Sequence, residues 1–379
     1  MNNFLLKGFE VELFTGRFSG ESVGVSEAVT KEFPDFVKEP DQRNLEYITQ
    51  PELEYSNLKE LILTPRRKLR NWLASKELTI LPGSTLALGD NGKFERSDSL
   101  NSYHDYIERN YGTKVVTASV HINLGIEDLS FLFAALRLVR CEAALFLALS
   151  ASSPFLDGIL TGVHSQRWLQ FPLTPKHVPI FLNHDHYVTW IEEQLREGKM
   201  HNERHLWTSA RPNGPKRPYQ LNRLELRICD LITNSDLLLA VTTLLELRVL
   251  SLFGAQSQLD PLEVSLLNIN ELSKLIDMND MAAAKSSLDA TLSHWLDGKE
   301  ISCRDWIARL IEDVTPLAKE MGVVQLLSPL NAVLDNGNQA MRWIRSYSQG
   351  IPLATLLEET IQEMENEEVL SANARAALG

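Results

Sequence analysis

The chain has 379 residues, of which 44% are hydrophobic and 23% are charged, a composition typical of a globular protein with a large buried core. Its formal net charge of −13 argues against nonspecific nucleic-acid binding and against attachment to an anionic membrane surface, because both require a basic surface. The three cysteines form no CxxC pair, so they indicate neither a disulfide framework nor a structural zinc site, and a reducing cytoplasm fits this pattern.

The first predicted element is KGFEVELF, residues 7–14, which has the period-two alternation of a β-strand. Its apolar side chains share one face, and Glu10 and Glu12 share the other. Two carboxylates this close repel each other and are costly to bury, so the acidic face must meet water, a basic partner or a metal ion. Taken alone, the strand is most simply half-exposed, with a solvated face. Because the apolar run is short and contains Lys7, we expect no signal peptide.

The next segments along the chain read as short strands and turns up to about residue 125, with a Gly- and Asp-rich loop at 89–99. A long apolar helix follows, from an N-cap at Asp128 to about residue 150. Charged residues at its centre argue against a membrane span and predict a buried helix. Residues 155–220 read as irregular and rich in Pro, His and Arg, which is typical of loops that carry function.

After residue 230 the pattern turns helical. One helix is predicted to begin at Asn234 or Ser235 and to end at Gly254, and another to run from Ser302 to Gly322. The tail then carries a dense run of acidic residues over 358–368, which is most simply the solvated face of a helix.

Three later segments repeat the alternation of the first strand. In NLEYIT the polar residue opposite the apolar face is Glu46, and in TASVHINLG it is His121, flanked on the same face by other polar residues. In NRLELRICD the corresponding residues are Glu225 and Arg227. Each strand alone is weak evidence for function, because a polar strand face is usually just wet.

If these four strands share one sheet, helices cover its apolar face and its open face gathers Glu10, Glu12, Glu46, His121 and Glu225. Carboxylates with one imidazole suit Mg²⁺ or Mn²⁺ far better than a metal that prefers thiolates. Divalent cations beside an arginine such as Arg227 are the usual equipment for positioning a triphosphate in phosphoryl transfer. The sequence has neither a Walker A motif nor a GxGxxG loop after a strand, so nucleotide would have to lie on the sheet face itself.

Taken in order, the motifs resemble those of the ATP-dependent carboxylate–amine ligases, and among them the glutamate–cysteine ligases of plant and cyanobacterial type. GFEVELF resembles the opening GxExE strand of the family, LEYIT its second acidic strand, and VHINLG the strand whose polar residue faces the metals. ALSASSPFLDGILTGVHSQRW is similar to the signature after the central helix, and LELRICD to the E-x-R strand. These matches run over about residues 8–230.

The resemblance implies an α+β fold, with a glutamine-synthetase-like curved antiparallel sheet packed with helices and a helical C-terminal part. Residues 1–230 would be the catalytic curved-sheet portion, and residues 231–379 a mainly helical portion that completes the same domain. The implied cofactors are ATP and two or three Mg²⁺ ions. We expect small-molecule substrates, no nucleic acid or membrane partner, a cytoplasmic location, and a monomer or homodimer.

The reaction implied by the resemblance is ligation of the γ-carboxylate of L-glutamate to the amine of L-cysteine through a γ-glutamyl phosphate, the first step of glutathione biosynthesis. Two alternatives stay open. One is a carboxylate–amine ligase of the same type with a different amine acceptor, because no motif specifies the acceptor pocket. The other is a non-catalytic interaction protein.

The resemblance also assigns site residues. The metal ligands would be Glu10, Glu12, Glu46, His121 and Glu225, and either Glu39 or Asp41 could add another carboxylate. Arg227 would contact phosphate in the transition state, and Arg167, with Ser152 and Ser153, would help to bind glutamate or phosphate. Arg227 and Arg167 are therefore the candidate catalytic residues.

Other polar segments allow a structural or a functional interpretation. RPNGPKRP, residues 211–218, is either a connector or a loop beside phosphate, and Arg211 and Lys216 within it are candidate substrate or ATP ligands. NHDHYVTW contains an HxH pattern, but a loop leading into a helix is the better interpretation than a metal site. We expect Cys141 and Cys229 to be buried core residues.

Overall fold

The computed structural model describes residues 4–89, 91–253 and 259–376. The strands are β1 (Lys7–Gly16), β2 (Phe36–Lys38), β3 (Asn44–Ile48), β4 (Thr79–Leu81), β5 (Val120–Gly125), β6 (Phe155–Leu156), β7 (Ile159–Leu160), β8 (Ala210–Asn213), β9 (Arg223–Leu226), β10 (Thr291–Ser293) and β11 (Glu300–Ser302). The helices are α1 (Ser26–Glu32), α2 (Tyr55–Ala74), α3 (Ser102–Tyr111), α4 (Leu129–Ser150), α5 (Gln166–Gln170), α6 (His184–Arg196), α7 (Ser235–Leu250), α8 (Pro261–Val264), α9 (Ile269–Ser286), α10 (Cys303–Glu320), α11 (Ser328–Asn336), α12 (Gln339–Ser348) and α13 (Leu353–Ala376).

The main sheet is antiparallel and has the strand order β2-β3-β1-β5-β9-β8, with β4 paired to the end of β1. Its two edges, β2 and β8, do not pair with each other, so the sheet is open. In β1 the alternation holds as predicted, because Phe9, Val11 and Leu13 are buried whereas Glu10 and Glu12 are only half-buried. The predicted α+β class, an antiparallel sheet packed with helices and a helical C-terminal part, is confirmed.

Helix α4 is the central buried helix that the apolar run predicts. Its N-cap is Asp128, whose side chain accepts a hydrogen bond from the backbone N–H of Phe131 at 2.7 Å, and it packs against β8 and β9. Its charged side chains are paired within the protein, as when Glu142 accepts hydrogen bonds from Arg248. Within the described ranges, no helix is both long and apolar enough to span a membrane.

The two predicted C-terminal helices begin where their capping residues place them. Asn234 caps α7 by accepting a hydrogen bond from the backbone N–H of Leu237 at 2.8 Å, and Ser302 caps α10. Gly322 follows the end of α10 with a φ of 72°, a left-handed conformation that favours glycine. Gly254, the predicted end of the first of these helices, lies outside the described residues.

Two stretches are more helical than expected. The first 125 residues contain α1, α2 and α3, and residues 155–220 contain α5 and α6. In α2 the buried leucines and isoleucine have helical spacing. Pro65 lies inside this helix, and a proline in a sequence normally predicts that a helix ends there. The HxH segment forms the first turn of α6 after an N-cap at Asn183, which agrees with the predicted loop leading into a helix.

The acidic tail is only partly a solvated face, and the prediction of a solvated face is wrong for Glu365, Glu367 and Glu368. Glu358 and Glu359 on α13 are exposed, but Glu368 is 2% exposed and accepts hydrogen bonds from Arg66 and Arg70 of α2. The neighbouring Glu367 accepts a hydrogen bond from the first backbone N–H of α7. Helix α13 is therefore anchored by charge as well as by apolar packing.

One hydrophobic cluster draws side chains from both predicted portions of the chain, such as Phe9 and Leu138 from the first and Leu244 and Trp306 from the second. The boundary at residue 230 stays a prediction. The cluster nevertheless explains why the C-terminal helices are needed to cover the sheet, since a buried apolar face requires a continuous partner.

We expect Glu368→Ala to lower the free energy of unfolding by about 3 kcal/mol, because it leaves buried guanidinium groups without their main partner. Urea unfolding followed by circular dichroism measures the change. Glu359→Ala is the matched control on the same helix, and its effect should stay within about 0.5 kcal/mol. Equal losses in the two variants would show that the Glu368 contacts do not anchor the helix.

Candidate active site on the open face of the sheet

The four strands with polar faces lie side by side, and their register brings the acidic side chains together. Glu12 on β1 is opposite Glu46 on β3, and Glu10 is opposite His121 on β5. Strand β9 follows β5 in the sheet and places Glu225 opposite Asn123. Side chains two residues apart on a strand share a face, so one face of the sheet collects all of these groups.

Glu10, His121 and Glu225 form the tightest group on this face. His121 Nδ1 lies 3.0 Å from Glu10 Oε2 and 3.6 Å from Glu225 Oε1. One potential ligand atom from each of the three residues lies within 4.8 Å of the others. Burial and the charge of Glu225 act to raise the pKa of Glu10, but the hydrogen bond from His121 and the charges of His121 and Arg227 hold that pKa below its usual value.

Glu225 is fully buried and is the most heavily bonded of these carboxylates. Arg211 donates to it through Nε at 2.8 Å and through Nη2 at 3.1 Å, Asn213 donates at 2.6 Å, and Arg227 Nη1 donates to Oε1. Burial by itself would raise the pKa of Glu225, but the charges of Arg211 and Arg227 hold it well below its usual value. The carboxylate is therefore ionised in the folded protein.

The opposite end of the open face is acidic. Glu39, which precedes β3, shares a hydrogen bond with Glu46, and Ser119 Oγ donates to Glu12 Oε2 at 2.8 Å. Burial and the charge of Glu12 raise the pKa of Glu39 to about 7, and burial and the charge of Glu39 raise that of Glu46 well above its usual value. A cation nearby would favour the ionised forms of Glu39 and Glu46.

Of the two carboxylates proposed to extend this group, the structure brings Glu39 to the site. Asp41 instead forms a bidentate pair with Arg43, at 2.8 and 2.7 Å, and accepts a hydrogen bond from the backbone N–H of Glu95. The Asp41 carboxylate is 2% exposed and serves the packing of the loop. The sequence did not decide between Glu39 and Asp41, because they are only two residues apart in a segment with no clear alternation.

The donor set fits hard divalent cations. The open face offers carboxylate oxygens in two neighbouring groups and one imidazole nitrogen, and Mg²⁺ and Mn²⁺ prefer such ligands. A cation between the carboxylates would also remove the repulsion that raises the pKa values of Glu39 and Glu46. Glu10, Glu12, Glu39, Glu46, His121 and Glu225 are the residues that could hold such ions.

Arg227 lies on the open face beside His121, whereas Arg167 is buried and bonds to the backbone next to Arg227. Arg227 Nη1 is 3.4 Å from His121 Nδ1 in addition to its bond with Glu225. Arg167 is 3% exposed and donates to the backbone carbonyls of Arg227 and Ile228, at 3.2 and 3.1 Å. The geometry of Arg167 fits a residue that positions Arg227 through the backbone.

Ser152 and Ser153 are engaged within the protein and are at most 1% exposed. The backbone N–H of Ser152 and the hydroxyl of Ser153 donate to Asp230, at 2.9 and 2.7 Å, and Ser165 donates to the same carboxylate. The structure therefore does not bring the two serines to the open face. They hold Asp230, which lies 3.9 Å from Arg167.

RPNGPKRP combines a strand with a loop. Arg211 and Asn213 belong to β8 and bind Glu225, whereas Lys216 is exposed in the turn that follows. Arg217 is half-buried, and its Nη1 atom is fully buried without a hydrogen-bond partner. Arg211 thus belongs to the site as a partner of Glu225, and the structure does not bring Lys216 to the open face.

Sequence reasoning missed a supporting layer of small polar side chains. Ser119 bonds to Glu12, Asn123 Nδ2 lies 3.3 Å from Glu10 Oε1, and Asn213 bonds to Glu225. Ser119 and Asn123 share the face of His121 in the alternation of TASVHINLG, so the sequence predicts their position but not their role as partners of the carboxylates. Asn213 had no such signal, because prolines and a glycine surround it in the sequence.

Two solved structures share this fold. One is a bifunctional glutathione synthetase from Pasteurella multocida, with a TM-score of 0.73 and 15% identity over 96% of this chain and 52% of that one. The other is a glutamate–cysteine ligase from Francisella tularensis in complex with AMP, with a TM-score of 0.72 and 15% identity over 99% of this chain and 95% of that one. The fold is thus shared with a glutathione synthetase and a glutamate–cysteine ligase.

The chain belongs to glutamate–cysteine ligase family 2 (GCS2), whose family model matches residues 6–373. A protein of Gloeobacter violaceus, provisionally named glutamate–cysteine ligase 2, is 28% identical over 63% of this chain and 62% of its own length. A protein of Solibacter usitatus with the same provisional name is 25% identical over 65% of this chain and 62% of its own length. The aligned region therefore spans about three fifths of these curated relatives.

We expect Glu46→Gln to stabilise the protein in EDTA by about 1 to 3 kcal/mol. Glu46 costs stability whether it is ionised against its neighbours or protonated at neutral pH, and the amide removes either cost. Thermal unfolding measures the change, and Mg²⁺ should stabilise the wild type more than the variant. Glu32→Gln, at an exposed position, is the control and should have no effect. A less stable Glu46→Gln protein would show that this carboxylate is structural.

Proposed function

We propose that this protein is an ATP-dependent ligase that joins the γ-carboxylate of L-glutamate to the amine of L-cysteine, the first step of glutathione biosynthesis. The observation that carries the proposal is the grouping of Glu10, His121 and Glu225 beside Arg227 on an open sheet face. Membership in the glutamate–cysteine ligase family and the fold shared with such ligases support it.

We infer two neighbouring cation sites on this face. Glu10, His121 and Glu225 would hold one Mg²⁺ ion, and Glu12, Glu39 and Glu46 would hold the cations at the acidic end. Bound Mg²⁺ would neutralise and orient the triphosphate of ATP. The protein's own part is to keep the carboxylates ionised and aimed, which the alternation of β1 and the bonds of Glu225 achieve.

Arg227 is the residue we assign to the charge that develops on the transferred phosphoryl group. Burial acts to lower its pKa, but the charges of Glu225 and Glu10 raise that pKa above its ordinary value, so the guanidinium stays charged. Its bond to Glu225 and the bonds of Arg167 to the backbone carbonyls of Arg227 and Ile228, just after β9, fix its direction. A donor fixed in this way stabilises a transition state without reorganising.

The proposed reaction needs no nucleophile from the protein. The γ-carboxylate oxygen of glutamate would attack the γ-phosphorus of ATP, forming an acyl phosphate and releasing ADP. The neutral amine of the acceptor would then attack the acyl carbon, phosphate would leave with the C–O bonding pair, and the amine would lose a proton. All three cysteines are buried, and burial raises the pKa of Cys229 to about 12, which does not suit a thiolate nucleophile.

The experiment that tests the function follows ADP formation with ATP, Mg²⁺ and L-glutamate while L-cysteine is added. The proposal predicts cysteine-dependent ADP formation and a γ-glutamylcysteine product. A panel of other amines in the same assay tests the alternative acceptor. Turnover with another amine but not with cysteine would reassign the acceptor, and no turnover with any amine would overturn the proposed function.

We expect Arg227→Gln to lower kcat by about 100- to 1000-fold, because a preorganised cationic donor is lost from the transition state. The measurement is steady-state ADP formation with saturating substrates. Arg17→Gln, at an exposed position far along the chain from β9, is the matched control and should retain wild-type kcat. A kcat of Arg227→Gln within threefold of wild type would contradict the assignment.

A further inference from the structure

The open face has unequal charge at its two ends. Glu12, Glu39 and Glu46 gather at the end formed by β1 and β3, where the charges of neighbouring carboxylates help burial to raise the pKa values of Glu39 and Glu46. The end formed by β8 and β9 is basic, because Arg211 and Arg227 surround the single carboxylate of Glu225. A ligand that spans this face would therefore meet cation-binding groups at one end and guanidinium groups at the other.

The Glu225 carboxylate is shared between two arginines. Its Oε2 accepts hydrogen bonds from Arg211 and Asn213, and its Oε1 accepts from Arg211 and Arg227. Arg211 is satisfied in turn, since its Nη1 donates to two backbone carbonyls at 3.0 Å. The single negative charge of Glu225 thus already faces two guanidinium groups.

Arg217, in the loop after β8, brings a third guanidinium to this end. It lies near enough to Glu225 and Arg227 for their charges to act on it, but it forms no ion pair with any carboxylate among the described residues. Its Nη1 atom is buried and has no hydrogen-bond partner, while the side chain as a whole is half-buried. A guanidinium that is partly desolvated and unpaired is costly unless an anion completes it.

Among the described residues no carboxylate pairs with Arg217, and Glu225, whose charge acts on it, is already bonded to two other arginines. The nearby Tyr187 hydroxyl is fully buried and also lacks a hydrogen-bond partner, and the charge of Arg217 acts on it. Arg204, whose charge also acts on Arg217, adds positive charge. The positive charge here, together with two buried polar atoms that lack partners, favours an anionic ligand.

The loop that carries Arg217 is held against α6 by two hydrogen bonds. The carbonyl of Pro218 accepts a hydrogen bond from His184 Nε2 at 2.9 Å, and the Tyr219 hydroxyl donates to Glu192 at 2.6 Å. Both partners lie on α6, and a bridge between Lys216 and Gln220 closes the turn. Arg217 is thus presented from an anchored loop, as a preorganised binding group requires.

We propose that Arg217 binds the α-carboxylate of an amino acid substrate at the basic end of the open face. The inference rests on the proposed function, which assigns the cations and Arg227 to the polyphosphate and leaves Arg217 for a different anion. A guanidinium matches a carboxylate with two parallel hydrogen bonds, and such charged bonds give specificity as well as affinity. Both amino acid substrates carry an α-carboxylate, and the experiment distinguishes them.

The test compares wild type with Arg217→Gln on substrates that lack one carboxylate. Four-carbon 4-aminobutanoate is glutamate without its α-carboxylate, and cysteamine is cysteine without its carboxylate. With the complete substrates we expect Arg217→Gln to lower kcat/KM about 10- to 100-fold, in line with the loss of a charged hydrogen bond. With the analogue that lacks the recognised carboxylate, wild type and variant should have equal kcat/KM, and that analogue identifies the substrate bound.

Two further variants keep the test interpretable. Arg217→Lys retains the charge and should recover part of the lost kcat/KM, whereas Arg196→Gln, an exposed change on α6, should match wild type. The thermal unfolding midpoint of Arg217→Gln should be no lower than that of wild type, since the variant loses no ion pair and removes a guanidinium that is costly without an anion. Equal losses of kcat/KM with both analogues and with the complete substrates, or no loss at all, would overturn the inference.

A binding measurement separates this inference from the proposed function. Calorimetric titrations measure the affinity of each variant for L-glutamate and for L-cysteine. Arg217→Gln should lower the affinity for one of the two amino acids by the same factor by which it lowers kcat/KM. If wild type forms no ADP but binds an amino acid more tightly than the variant does, the proposed reaction fails and the Arg217 assignment stands. If wild type turns over and the variant binds both amino acids equally well, the reaction stands and the assignment fails.

Discussion

The open face depends on one interaction, the bonding of the buried Glu225 carboxylate to arginines from β8 and β9. An isolated carboxylate at this depth would be protonated, because burial disfavours charge. Arg211 and Asn213 on β8 and Arg227 just after β9 keep it ionised and fix its two oxygens. The bond between Arg227 and Glu225 also orients Arg227 toward His121. The same ion pair therefore keeps the carboxylate charged and positions the main cationic group of the site.

The fold uses the strand period to turn sequence spacing into site geometry. Because β1 lies between β3 and β5, its two acids meet a different neighbour on each side, Glu46 on one and His121 on the other. The apolar side chains on the other face of β1 belong to the core that the helices cover. A change of register by one residue would therefore bury the acids and expose the core, which ties the stability of the sheet to the existence of the site.

Much of this arrangement could be predicted from the sequence, and the failures have identifiable causes. The alternation of β1, β3, β5 and β9 predicts which face carries Glu10, Glu12, Glu46, His121 and Glu225, since burial imposes that pattern. Helix α2 was missed because Pro65 interrupts an otherwise helical spacing. The engagement of Ser152 and Ser153 by Asp230, almost eighty residues later, is a tertiary contact that local patterns do not encode. Nor does any local pattern show that Arg211 has a carboxylate partner and Arg217 none.

The central claim is that this face binds divalent cations together with nucleotide, and anomalous diffraction tests it most directly. Crystals grown with Mn²⁺ and a nonhydrolysable ATP analogue should show manganese peaks between Glu10, His121 and Glu225, and beside Glu12, Glu39 and Glu46. The triphosphate should lie against these peaks, on the side of Arg227. A bound nucleotide with no manganese on this face, or with manganese held only by other residues, would contradict the account.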